Sequence, residues 1–377
     1  MRAMKQTKVM LFCAWCGVAS GTSTLGRADP PGLKTLEIGA RAPDFDLPGV
    51  DGRRYQLQDF AAARILVVLF TCNHCPTAQA YEGRIVKMHA DYRDRGVALV
   101  AISPNNPEAL RLDELGYTDV GDSLEDMKIR AKDRGFQFPY LYDGDKQEAA
   151  LAYGALATPH VFIFDESRKL RYVGRIDDAE VKEVKSHDAR NAIEALLVRK
   201  PVPVEKTRVF GCSTKWIDKK DSARKALEAW NLEEVKLASI DVGGVKELVR
   251  NPSLKVRLIN VWASWCGPCL VELPDLVAVN RMYRQRNFEL ITISMDSAPA
   301  APKALEVLKK HAVSSTNYHF TGGDRDALMD ALDKEWPGPI PHTLLVEPGG
   351  KVIYRMTGSI DPRTLKKVIA DRLGRTY

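Results

Sequence analysis

The sequence predicts an α/β protein of two tandem units, each a mainly parallel central sheet flanked by helices. Short apolar runs rich in β-branched residues alternate with helical periodicities along the whole chain. The order strand, Cys-x-x-Cys, helix, strand, helix, X-Pro, strand, hairpin strand, helix occurs twice, around Cys72 and Cys75 and again around Cys266 and Cys269. A length of 377 residues with 45% hydrophobic composition suits two or three domains with full cores.

Residues 1–28 read as an export signal. Arg2, Lys5 and Lys8 give a basic start, Val9 to Ala19 an apolar run, and Gly26-Arg27-Ala28 a small-x-small cleavage site, with Val18-Ala19-Ser20 as the alternative. The run is about 11 residues, too short to span a bilayer. Cys13 and Cys16 fall inside it and are expected to have no role in the mature chain. Phe12 and Trp15 are too bulky for a lipoprotein cleavage box. An exported chain that keeps five of its seven cysteines belongs in an oxidising compartment, which places it in the bacterial envelope, in the periplasm. The net charge of +6 is spread along the chain without an aromatic-interleaved basic patch, which argues against nucleic-acid binding.

The first unit is expected over 36–200. Asp51-Gly52-Arg53 turns an opening hairpin, and Ile65 to Phe70 is a continuous apolar strand running into Thr71-Cys72-Asn73-His74-Cys75-Pro76 and a helix to about Arg95. Val97 to Ser103 is the next strand, followed by helical patterning that contains Asp122 to Gly135. Thr158-Pro159 then leads into the strand Val161 to Asp165, a hairpin strand Lys169 to Arg175 and a helix Asp188 to Arg199. Residues 201–231 form a linker, Pro-spaced and extended at its start, that carries the odd cysteine, Cys212. Cys212 suits a buried inert cysteine and a thiol able to join a mixed disulfide equally well.

The second unit is expected over 232–377. Its strand Lys255 to Val261 meets Trp262-Ala263-Ser264-Trp265-Cys266-Gly267-Pro268-Cys269 and a helix with Leu270, Leu273, Leu276 and Val277 at helical spacing. Cys266 therefore falls at or near the N-cap and Cys269 in the first turn. Unpaired N–H groups and the positive end of the helix dipole favour a thiolate at Cys266. Pro268 is preset for a first helical turn and holds Gly267 and the cysteine pair in place. A reversible dithiol/disulfide pair follows. A zinc site would need about four ligands, and neither pair has a nearby Cys or His at the usual spacing, so no metal and no cofactor is expected.

With WCGPC on a strand-to-helix turn, Asn260 six positions before Cys266, and Glu272 and Pro274 after Cys269, residues 235–377 resemble the TlpA/ResA-like branch of the thioredoxin-fold thiol-disulfide oxidoreductases. The resemblance implies that Ile340-Pro341 is a cis bond facing the cysteines, with Ile340 offering backbone groups to a substrate strand. It also implies proton transfer by Glu272 in place of a buried Asp. Residues 37–200, through FTCNHCP, AYGALATPHVFIFD and LRYVGRIDD, resemble the redoxin, or AhpC/TSA-like, group. Thr158-Pro159 is the matching cis bond, Cys72 a second helix-start thiolate, and His74 a group that tunes it. Where peroxiredoxins carry a Thr or Ser and a Pro ahead of the peroxidatic cysteine, this chain has Leu69 and Ile65.

The sequence thus points to two tandem thioredoxin-like domains forming an exported thiol-disulfide oxidoreductase, with Cys266 attacking a substrate disulfide and Cys269 resolving it. Its expected partners are protein or small-molecule thiols and disulfides, and a membrane-borne electron donor is compatible with that setting. Two other readings stand beside it: a peroxiredoxin-like antioxidant acting through Cys72, and a non-catalytic envelope binding protein with static disulfides.

Overall fold

The structure, a computed structural model, describes residues 29–377. The proposed export signal, with Cys13 and Cys16, lies outside the described residues.

The first unit opens with a hairpin of β1 (Asp46–Pro48) and β2 (Arg54–Gln56). Its main sheet holds β3 (Ile65–Phe70), β4 (Val97–Ser103), β5 (Tyr140–Tyr142), β7 (His160–Phe164) and β8 (Leu170–Gly174) in the order β5-β4-β3-β7-β8. β3, β4 and β5 run parallel, while β7 and β8 return antiparallel. All six residues of β3 are buried because both faces are covered. Ile65, Val67 and Leu69 pack under α1 (Pro76–Tyr92), α2 (Leu124–Arg134) and α4 (Asp188–Leu197). Leu66, Val68 and Phe70 face α3 (Glu148–Tyr153) and the opening hairpin.

The second unit repeats this plan. Its sheet has the order β10-β13-β12-β11-β14-β15. The strands are β10 (Ala238–Ile240), β11 (Val256–Trp262), β12 (Phe288–Ser294), β13 (Thr316–Phe320), β14 (His342–Val346) and β15 (Val352–Thr357). Val256, Leu258 and Trp262 pack against α7 (Gly267–Tyr283), α8 (Ala301–Lys310) and α10 (Pro362–Leu373). Ile259 and Val261 face α6 (Val242–Arg250) and α9 (Arg325–Leu332). No helix of the described residues is long and apolar enough to cross a membrane.

Much of the stretch 201–231 lies on the first unit. Val173 N–H donates to Glu205 O, and Thr207 N–H donates back to Val173 O. Val202 and Trp216 are buried. A two-residue strand, β9 (Cys212–Ser213), pairs with β6 (Ala157–Thr158), and α5 (Lys220–Asn231) follows. The apolar side chains among these polar residues, Val202, Phe210 and Trp216, draw the stretch onto the sheet. The units also touch each other. Tyr283 Oη donates to Thr118 O at 2.7 Å, and Arg286 to Gly116 O at 2.9 Å.

Candidate redox sites

In the second unit Cys266 is the N-cap of α7, with Gly267 and Pro268 as the first two helical residues. Its sulfur accepts the Cys269 N–H at 3.3 Å, lies 3.7 Å from Ile340 O, and is bonded to Cys269. Cys269 is fully buried, and Cys266 is 5% exposed beside Trp265, which is 62% exposed. The Ile340-Pro341 and Thr158-Pro159 bonds are both cis.

Glu272, one turn along α7 from Cys269, is buried. Asn260 Nδ2 donates to its Oε1 at 2.8 Å and Ile360 N–H to its Oε2 at 3.0 Å. Burial raises its pKa, and these two donors only partly offset that.

The first unit departs from the expectation that Cys72 sits at a helix start. Register shows why. Phe70 pairs with His160 and Val261 with His342, each partner two residues beyond the residue that precedes the cis proline. Five residues on from those marks stand Cys75 and Cys266. Cys75 is the N-cap of α1, its sulfur accepting Ala78 N–H at 3.4 Å and lying 3.4 Å from Thr158 O. Ala78 stands where Cys269 stands in the other unit. Proline placement decides this. A proline lacks an N–H and belongs in the first helical turn, so Pro76 starts α1 after the second cysteine, whereas Pro268 lies between its pair.

Electrostatics follow the same offset. Burial, a hydrogen bond with Cys75 and the Asp122 charge push the Cys72 thiol well above the free range. Burial also opposes ionisation of Cys75, but hydrogen bonds from Cys212 and Cys72, the His74 charge and the Ala78 N–H bring its pKa well below that range. Cys72 Sγ lies 3.1 Å from Thr158 Oγ1.

His74 is buried, with Nδ1 2.6 Å from Asp122 Oδ2. Burial disfavours its charge, but Asp122 outweighs burial and leaves the His74 pKa raised. Asp122 also accepts from Asn73 N–H, His74 N–H and Asn105 Nδ2, so one carboxylate holds the loop between the cysteines. Cys72, His74 and Asp122 present one ligand atom each within 4.8 Å, as a metal would require, and here the His–Asp pair is closed on itself. Asp122 and Asn105 were not legible as site residues, because they lie on other segments, 48 and 31 positions from His74.

The AhpC/TSA family model matches residues 38–173, and the redoxin model matches residues 250–371. The thiol:disulfide interchange protein HelX of Rhodobacter capsulatus is 29% identical over 122 residues, which are 32% of this chain and 63% of HelX. The thiol-disulfide oxidoreductase ResA of Bacillus subtilis is 24% identical over 140 residues, 37% of this chain and 67% of ResA. Among solved structures, the hypothetical protein SMc02350 of Sinorhizobium meliloti is 35% identical, covering 48% of this chain and 96% of its own, with a TM-score of 0.44. With an AhpC/TSA match and a redoxin match each falling on one copy of the same strand and helix order, the chain is a tandem thioredoxin-like protein.

Proposed function

We propose that this chain is an exported thiol-disulfide oxidoreductase that exchanges disulfides through Cys266 and Cys269, with Cys72 and Cys75 in a second redox centre. The supporting observation is the placement of Cys266 at the start of α7, its sulfur receiving an N–H and facing the Ile340 carbonyl beside exposed Trp265. In the reduced state the Cys266 thiolate attacks a substrate disulfide and expels one thiolate. Cys269, buried beneath it, then attacks Cys266 Sγ and releases the second thiol. Glu272 is suited to take the Cys269 proton, as a buried carboxyl of raised pKa one turn away. Ile340 and Thr158 hold the substrate-facing backbone in their respective units, each next to its cis proline, Pro341 and Pro159.

HelX and ResA carry thiol-disulfide names, and their likeness supports the same chemistry here. The basic and apolar start of the chain and its cysteine content support an extracytoplasmic site, where protein or small-molecule thiols and disulfides are the partners and a membrane-borne donor supplies electrons. Cys269→Ala is the test. Reduced and mixed with glutathione disulfide, it should stall with glutathione on Cys266, and an unmodified Cys266 would overturn the reading. Consumption of hydrogen peroxide by the full chain would favour the peroxidase reading instead.

A further inference from the structure

The two copies of the fold differ at one edge. Among the described residues no strand pairs with Ile340 in the second unit. In the first unit the corresponding edge is taken: Cys212 pairs with Thr158 and Ser213 with Ala157, antiparallel. Cys212 thereby packs on Cys72, Cys75 and Ala78, and a side-chain hydrogen bond joins it to Cys75.

The approach depends on Gly211. At φ +144°, a Cβ on this residue would stand 2.1 Å from Thr158 O and 2.8 Å from its carbonyl carbon. Only glycine fits there. The residues that follow are anchored. Thr214 Oγ1 donates to Ala155 O at 3.0 Å, Lys215 N–H to Asn105 Oδ1 at 2.8 Å, and Ile217 N–H to Gln147 Oε1 at 2.8 Å. Asn105 also donates to Asp122, so the strand and the cysteine loop share a support. Tyr377 of the second unit packs edge-on against Tyr117, with ring centroids 5.1 Å apart.

We propose that Gly211–Ser213 is an internal substrate strand of the first site and that Cys212 is its third redox residue, forming a disulfide with Cys75. The proposal rests on the reading of this site as a thiol-disulfide centre. Because Ala78 occupies the place of a resolving cysteine in α1, Cys75 takes its partner from either side, Cys212 on the strand or Cys72 in the loop. Starting from three thiols, an external disulfide accepts two electrons and two protons from Cys75 and Cys212 and leaves as two thiols, while the two protein sulfurs join. Cys72 can then attack Cys75 Sγ. The Cys72–Cys75 bond forms, the Cys75–Cys212 bond breaks, and the proton of Cys72 passes to Cys212. That second step needs no outside oxidant or reductant. A Cys75–Cys212 bond keeps the edge closed to other chains, and its transfer to Cys72 frees the strand to leave.

The full chain, reduced and then equilibrated with glutathione disulfide, is quenched with N-ethylmaleimide and digested with trypsin without reduction. Cys72 and Cys75 share the peptide 65–84, and Cys212 lies in 209–215. In Cys72→Ala the two peptides should be found linked as the main product. Gly211→Val, which cannot hold the strand against Thr158, should cut the link about tenfold or more, because the tethered thiol loses its effective concentration. Cys75 carrying only glutathione in Cys72→Ala, with Cys212 alkylated, would overturn the proposal. In the wild-type chain a linked pair of these peptides supports it as well. The Cys266–Cys269 bond is scored in the same digest. In Cys72→Ala, exchange there without a linked first site defeats this inference alone, whereas no exchange at either site defeats the proposed function.

Discussion

Cys75 and Cys266 occupy one position in two copies of a fold: each is the N-cap of the helix after the first core strand, and each sulfur accepts the N–H three residues on. They differ in surroundings. Cys266 has a cysteine one turn along its helix and, among the described residues, an unpaired edge beside it, whereas Cys75 has Ala78 and the strand bearing Cys212.

Cys266 should be the thiol that alkylates first in the second unit. Its sulfur lies among the unpaired N–H groups at the helix start, which favour a thiolate, and Cys269 is fully buried. Brief iodoacetamide treatment of the reduced protein at neutral pH, read by mass spectrometry, should label Cys266 at least about tenfold more than Cys269. Predominant labelling of Cys269 would contradict the assignment.

Glu272→Gln should fold and shift Cys266 reactivity to lower pH. The Asn260 Oδ1 atom is buried without a partner, so a flip of that amide lets it accept from the new Gln amide. A nearby carboxylate disfavours a thiolate, and the coupled pair should titrate in two steps. The stability sign is set by the raised pKa of Glu272. Its contribution is complete below the ordinary value of 4.5 and is lost as pH rises through the folded value, and the Gln variant should lack that decline. Urea midpoints and alkylation rates against pH would check both.

The His74–Asp122 pair should give the first unit a bounded stability window. Asp122 is lowered, so its contribution is present above the ordinary 3.8 and is lost as pH falls through the folded value. His74 is raised, so its contribution is full below 6.5 and is lost as pH rises through its folded value. Asp122→Ala leaves buried N–H donors and a buried imidazole unpaired, at a cost of about 3 kcal/mol. Denaturant melts across pH would show a smaller loss, or none, if the pair were unimportant.

The first site should be more oxidising than the second. The sequence suggests this through His74, but that group is paired with Asp122, and the structure supplies a further cause. The Cys75 thiolate receives hydrogen bonds from Cys212 and Cys72, and stabilising the reduced form raises the potential. Full-length protein equilibrated in glutathione buffers should show a gap of about 30 mV or more, reduced in Cys212→Ala, which removes the donor. Equal potentials would make the two sites independent.

The sequence by itself determined the two units, their sheets, and the cysteine pairs at the end of a buried strand, because these rest on local periodicity and on single residues of strong preference. Lys255 to Val261 read as a buried strand, which the structure places at Val256–Trp262, and Pro268 fixed the start of α7. The same rule, applied to Pro76, marks Cys75 as the helix-start thiol, but the Cys-x-x-Cys spacing draws the eye to Cys72. Only the tertiary structure decided the rest. Asp122, Asn105 and Cys212 reach the first site from segments far apart in the chain, and such contacts leave no periodic trace. Gly211 reads as an ordinary loop glycine until the Thr158 carbonyl is found where its side chain would be. A β-pairing of two residues has no pattern of its own, so the closed edge of the first site follows from packing across the sheet.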